Sequence, residues 1–145
     1  MKLQINTSLA LYSVLESAAD PTRHLSAAEI ADKYGVSPHH LAKVLSELSR
    51  AGIVESVRGV GGGYRFVANA RRLTLMDVIQ TFEDPGLPNG GRREPGEQTP
   101  VGQALGAVLS EIDENAKATF SSITIATMLR LIERQQRGKA ASRRR

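Results

Sequence analysis

Hydrophobic residues recur every three or four positions in six segments of the chain, and this period predicts six α-helices. The first is predicted from Leu3 to Ala19 and ends before Asp20-Pro21, because the residue before a proline avoids the helical conformation. The other five are expected to begin at Ser26, Ser37, Thr74, Thr99 and Ile123. The pattern therefore predicts a mainly α protein.

The second and third helices are predicted to form a tight pair. Ser26 and Glu29 have the spacing of a capping box, and Gly35 stands where a helix ends in a left-handed residue. Ser37 then caps the third helix, with Pro38 at its first position, where the missing N–H costs nothing. Two helices that cross near a right angle through such a short turn form a helix-turn-helix, which binds DNA through its second helix.

A β-hairpin is predicted directly after this pair. Residues 53–58 alternate like a strand, residues 59–63 form a glycine-rich turn, and residues 64–67 form the return strand. Glycines in the turn allow positive φ angles and a close approach of the backbone to a partner. The predicted fold is a winged helix-turn-helix, mainly α with a small β-hairpin wing, followed by a long dimerisation helix.

The second half of the chain divides into three further parts. After a DNA-binding domain at residues 1–84, residues 85–100 are rich in glycine and proline and predict a flexible loop. Residues 101–136 form the dimerisation helices, because the fifth helix carries an apolar stripe that a small domain leaves without cover. A homodimer is therefore expected. Residues 137–145 are polar and basic and predict a disordered tail.

Composition excludes several classes of protein. The sequence contains no cysteine, which excludes disulfides, thiol catalysis and a cysteine-ligated iron–sulfur cluster, and no cofactor is expected. It contains no run of 18 apolar residues and no signal peptide, so we expect a cytoplasmic protein without a membrane span. Residues 1–70 have a net charge of +1, residues 71–129 of −3 and residues 130–145 of +6. Net charge alone therefore does not indicate that the predicted winged helix-turn-helix binds DNA.

The start of the third helix is the predicted contact with DNA, because a recognition helix enters the major groove by its N-terminal end. Ser37, His39 and His40 offer short polar contacts to base edges or phosphate, and Lys43 suits a phosphate one turn further on. In the simpler interpretation Ser37 is only a cap and the histidines are only solvated. The full candidate set is Ser26, Ser37, His39, His40, Lys43, Arg58, Gly61, Gly62 and Tyr64.

The wing offers a second contact. Arg58 lies at its base, from which an arginine reaches a narrow minor groove, although a plain surface arginine on an edge strand would have the same sequence. Gly61 and Gly62 bring backbone N–H groups near a phosphate, or serve only the turn, and both interpretations can hold. The three arginines at the end of the chain either add non-specific affinity for DNA or only solubilise the protein.

Other kinds of site find little support. His39 and His40 are adjacent and point about 100° apart on a helix, which does not suit a shared metal ion. The glycine run leads into a strand and not into a helix, unlike a nucleotide-binding loop. No G-x-S-x-G or H-E-x-x-H motif is present, so an enzyme is not expected. A winged helix that binds another protein instead of DNA remains the alternative.

The run SVRGVGGGY and the segment TLMDVIQTFE, after SPHHLAKVLSELSRAGIV, resemble the Rrf2-type transcriptional regulators. The resemblance implies a homodimeric winged-helix repressor or activator that binds double-stranded DNA, and we expect a repressor. In that family the loop after the fourth helix often carries three cysteines that hold an iron–sulfur cluster. Residues 84–100 carry none, so the cluster is not carried over. An unidentified small-molecule effector, if the protein has one, is expected at this loop or beside it.

Overall fold

The computed structural model describes residues 3–83 and 95–145 of the chain. In order along the chain it contains α1 (Ile5–Ala19), α2 (Ala27–Tyr34), α3 (Pro38–Arg50), β1 (Val54–Val57), β2 (Gly63–Phe66), α4 (Leu75–Phe82), α5 (Pro100–Ser122) and α6 (Ile125–Arg143). The two strands form one antiparallel sheet. This order confirms the predicted fold class, a helical protein with a helix-turn-helix and a β-hairpin wing.

Local capping chemistry explains where the helices begin. The hydroxyl of Ser37 accepts a hydrogen bond from the His40 amide at 3.0 Å, and Thr74 with Asp77 forms a complete capping box. At Ser26 the predicted box forms only in part. Ser26 accepts from the Glu29 amide, but the Glu29 carboxylate pairs with Arg23 at 3.1 Å. This ion pair replaces the expected return bond to the Ser26 backbone.

The core lies where α1 packs against α3, α4, α6 and the return strand β2. Its buried side chains are almost all aliphatic, as the low aromatic content of the sequence requires: Leu9, Val14, Leu25, Ile30, Leu41, Val44, Leu45, Leu48, Ile53, Val54, Phe66, Leu75, Val78, Ile79 and Ile125. Ala31 is fully buried between α2 and α3, where its small side chain allows the two helices to approach closely. The buried face of α3 fixes which of its residues remain outside.

The connector before α2 pairs with the wing. The backbone amide of Leu25 donates to the carbonyl of Tyr64 at 2.8 Å, and the amide of Tyr64 donates back to Leu25 at 2.7 Å. Leu25 thus forms a third, single-residue rung beside β2. The sequence predicts only a connector for this segment, because a long-range pairing of one residue leaves no periodic pattern.

The C-terminal helices differ from expectation in one respect. The start of α6 is held to the core through Ile125, whose amide donates to the carbonyl of Leu73 at 2.8 Å. We expected a disordered tail after Gln136, but α6 continues through Arg143. Most of the predicted flexible loop, residues 84–94, lies outside the described residues. Within the described ranges, none of the helices combines the length and apolar character of a membrane span.

Candidate nucleic-acid interface

The N-cap and the first two turns of α3 carry four of the predicted contacts on their outer side. Ser37, His39, His40 and Lys43 are all exposed, while Leu41 between them is fully buried. The α-helical spacing therefore divides this part of the helix into a core face and an outer polar face. Although the oxygen of Ser37 caps the helix, its hydroxyl proton remains a donor for an external acceptor. The cap interpretation of Ser37 is confirmed, and a contact of its hydroxyl with DNA stays a prediction.

His40 has a partner that the sequence did not indicate. Its Nε2 lies 2.6 Å from the side-chain oxygen of Asn6, at the start of α1. Since an amide oxygen only accepts, Nε2 carries the proton in this contact. Asn6, His40, Lys43, Arg50 and Phe82 line an open cleft of about 350 Å³ beside α3. His40 is therefore oriented by α1, and this contact between distant residues has no short-range signal in the sequence.

The wing presents its predicted residues in different ways. Arg58 is exposed and follows the last residue of β1, at the base of the turn. Gly61 is exposed with a φ of 75°, whereas the Gly62 amide donates to the Gly59 carbonyl at 3.0 Å and thus serves the turn itself. Tyr64 is half-buried and packs against the core. Of the predicted contact residues in the wing, Arg58 and Gly61 are the two that are exposed.

Ser26 lies apart from these residues in its role. Its side chain is half-buried and caps α2 through the Glu29 amide. The start of α3 and the wing both lie on the outer surface of the N-terminal unit. Ser26, by contrast, has a structural role, because it caps α2. Its hydroxyl proton is still available to an external acceptor.

Ion pairing separates the cations of this unit into two groups. Within residues 3–70, four of the six Lys and Arg residues pair with a carboxylate, namely Arg23 with Glu29, Lys33 with Glu16, Arg50 with Glu47 and Arg65 with Glu55. The two that have no such partner in this range are Lys43 and Arg58. A low net charge therefore coexists with two uncompensated cations, one on α3 and one on the wing.

No metal site is evident in the described part of the chain. Residues 3–83 and 95–145 contain no group of three or more His, Asp or Glu side chains that are placed to hold an ion. The histidines at positions 39 and 40 have no third ligand beside them.

Comparison with known proteins gives consistent matches. Residues 3–131 match the model of the family described as "Rrf2: Iron-dependent Transcriptional regulator". A protein of Rhodopseudomonas palustris named as an HTH-type transcriptional regulator, BadM, is 48% identical over 137 residues, which cover 94% of this chain and 86% of that protein.

Two solved structures have a similar fold. CymR of B. subtilis, described as its global cysteine regulator, superposes with a TM-score of 0.73 at 25% identity and covers 90% of this chain and 98% of its own. IscR of T. potens gives 0.74 at 25% identity, with 94% and 91% covered. The family description names iron, but this chain has no cysteine thiolate, so its donor set does not fit a cysteine-ligated iron–sulfur cluster.

Proposed function

We propose that this chain, which belongs to the Rrf2 family of transcriptional regulators, binds double-stranded DNA as a homodimer at a near-palindromic operator. One observation carries the proposal. Among the cations of residues 3–70, Lys43 and Arg58 are the two without a carboxylate partner in the part of the chain that the structure describes. They lie on the two elements with which a winged helix contacts DNA. A cation that pairs with a carboxylate must exchange that ion pair for the phosphate, whereas Lys43 and Arg58 have no such pair with a described residue to give up.

The contacts divide between the two grooves. The start of α3 enters the major groove, where Ser37, His39 and His40 meet base edges or phosphates and Lys43 meets a phosphate. Arg58 enters the adjacent minor groove, where a narrow A·T-rich stretch attracts an arginine. Ser26, Gly61, Gly62 and Tyr64 support these contacts from the start of α2 and from the wing.

The dimer sets the form of the operator. The exposed stripe of α5 pairs with the same stripe of a second copy, which gives twofold symmetry. The two recognition helices then lie about 34 Å apart, one turn of DNA, and read two half-sites of opposite orientation. We propose a repressor in the cytoplasm, which blocks transcription when it occupies such a site.

Regulation proceeds without a cysteine-ligated cluster. The family and the relatives are regulators of transcription and not enzymes, in agreement with the expectation from the sequence. If an effector controls this protein, we place its site at residues 84–100 or beside α5, a location that lies largely outside the described residues.

Charge reversal tests the DNA contacts. Footprinting of bound genomic DNA first supplies an operator fragment, and its dissociation constant is then measured for the wild type, Lys43→Glu and Arg58→Glu. Each variant should lose at least about tenfold in affinity, since a repulsive charge replaces an attractive one at the phosphate backbone. Arg50→Glu is unsuitable as a control because Glu47 lies beside it, whereas Arg23→Gln removes a charge that Glu29 already neutralises and should bind nearly as well.

A protein-interaction module without DNA binding is the second candidate, and the low net charge of +1 over residues 1–70 allows it. A gel-shift assay over genomic fragments at low and at physiological salt separates the two. Absence of any shift at low salt would support the interaction module. Wild-type affinity in both charge-reversal variants, with folding intact, would sink the assignment of Lys43 and Arg58.

A further inference from the structure

The tip of the wing, residues 58–62, has little packing of its own. Val60 has a relative exposure of 111%, so its side chain is fully open to solvent. Gly59 and Gly61 have φ angles of 106° and 75°, and the amide of Gly62 bonds back to Gly59 within the turn. A glycine-rich loop loses more conformational entropy than other sequences when it is fixed. Something outside the tip must orient it.

His24 makes that external contact. Its Nδ1 lies 3.1 Å from the carbonyl oxygen of Gly61, and this is the one side-chain hydrogen bond that reaches residues 58–62 in the described part of the chain. A carbonyl oxygen only accepts, so Nδ1 must carry the proton. The contact therefore requires a ring that is protonated at Nδ1, and Nε2 lies on the side of the ring away from the Gly61 carbonyl.

The backbone next to His24 is joined to the wing by hydrogen bonds. The next residue, Leu25, is buried and exchanges two hydrogen bonds with Tyr64, at the base of the returning strand. Gly63, which precedes Tyr64, approaches Leu25 so closely that a Cβ at position 63 would lie 2.6 Å from the Leu25 carbonyl oxygen. The segment 24–25 thus lies directly beside the wing and is fixed to it at one end.

We propose that His24 is a positioning residue for DNA binding, whose Nδ1–H holds the Gly61 carbonyl and so presents Arg58 to the minor groove. The inference rests on the proposed function. His24 acts through the wing and makes no contact with DNA itself. Without this bond the tip samples several orientations, and binding must fix one of them, which lowers affinity.

The first test uses DNA affinity and a double-mutant cycle. His24→Ala should weaken binding to the operator fragment by roughly 3- to 10-fold, the range expected for removal of one hydrogen bond. His24→Asn should restore most of the affinity, because its amide nitrogen occupies the same place in the side chain as Nδ1. In an Arg58→Ala background, His24→Ala should add less than about twofold, since the wing no longer has an arginine to present to the groove.

The second test does not use DNA. Amide hydrogen exchange at Gly62 should accelerate by roughly 3- to 10-fold in His24→Ala and return towards the wild-type rate in His24→Asn. The thermal midpoint of both variants should stay near that of the wild type, which excludes a loss of fold.

Several results would overturn the proposal. An additive loss of affinity in the double variant would show that His24 does not act through Arg58. Wild-type affinity in His24→Ala would show that the tip needs no support from it. If Arg58→Ala binds like the wild type, the wing does not act at the groove and the positioning role fails. If the wild type binds no DNA, the proposed function fails, while the exchange rates still decide whether His24 orders the tip.

Discussion

Glu16 links the first two helices of the N-terminal unit. Its carboxylate accepts hydrogen bonds from Lys33 and, at 2.6 Å, from the hydroxyl of Tyr34, whose ring stacks on Tyr12 with centroids 4.8 Å apart. Partial burial by itself raises the pKa of Glu16, but the bonds from Lys33 and Tyr34 outweigh it and hold that pKa below its ordinary value of 4.5. Burial, and then the bond to Glu16, raise the pKa of Tyr34 far above its ordinary value.

These shifts give a stability that depends on pH. Because the folded-state pKa of Glu16 is lowered, its contribution is fully present above pH 4.5 and is lost as the pH falls through the lowered pKa. The contribution of Tyr34 to stability depends on pH in the opposite direction. It is fully present below pH 10 and is lost only when the pH rises through the raised pKa of Tyr34. Near neutral pH both are therefore fully present.

The change Tyr34→Phe should lower the free energy of unfolding by about 1 kcal/mol at pH 7, because it removes a hydrogen bond to a partly exposed carboxylate. The difference from the wild type should shrink as the pH falls below 4.5 and Glu16 becomes protonated. Urea unfolding at a series of pH values measures it. Tyr12→Phe keeps the stacked ring and serves as the control, with a change within about 0.5 kcal/mol. A difference that does not vary with pH would contradict the role of Glu16.

At the scale of elements, local chemistry was the part that the sequence could predict. Ser37, Thr74 and Thr99 each begin a helix as expected, and Gly35 ends α2 with a φ of 66°. These signals act within four residues, so a single sequence contains them. The pairing of Leu25 with Tyr64 and the contact of Asn6 with His40 join residues more than 30 positions apart. Neither follows from a local pattern.

Helix α5 exposes an apolar face that the rest of the chain does not bury. None of its 23 residues is buried. Its apolar side chains recur every three or four positions, with exposures between 49% and 79%: Val101, Leu105, Val108, Leu109 and Ile112. A continuous apolar stripe of this kind on a small protein marks an interaction surface. We propose that a second copy of the same chain covers this stripe along the length of the helix, about 34 Å.

The change Leu105→Glu should convert the protein to a monomer of 15.7 kDa, since a charge in the centre of the stripe cannot be buried without a partner. Light scattering after size exclusion gives the mass. The same variant should bind a two-half-site operator much more weakly, because one half-site alone remains for each chain. Gln103→Glu adds the same charge about 160° around the helix and should leave a dimer. A dimeric Leu105→Glu protein would assign the interface to another surface.

At the scale of the whole molecule, the difference from the expectation is that the basic C-terminal segment is mostly helical. The basic tail was expected to be disordered because of its charge, but Gln, Arg, Lys and Ala are good helix formers, and the core-anchored start of α6 provides the nucleus from which the helix extends. The net charge of +6 over residues 130–145 is therefore carried mostly on an exposed helix. Because the helix fixes the spacing of these charges, they can attract a polyanion jointly.

We expect this helix to add sequence-independent affinity for DNA. The triple change of Arg143, Arg144 and Arg145 to Gln should lower affinity for the operator and for unrelated DNA by a similar factor, since phosphate contacts carry no sequence information. The slope of log affinity against log salt should fall in magnitude by about 0.9 for each phosphate that the variant no longer neutralises. By contrast, Lys43→Gln should weaken the operator more than unrelated DNA if α3 lies in the major groove, because Lys43 then meets its phosphate only in the specific register. An unchanged salt slope in the triple variant would show that these three arginines neutralise no phosphate and serve solubility alone.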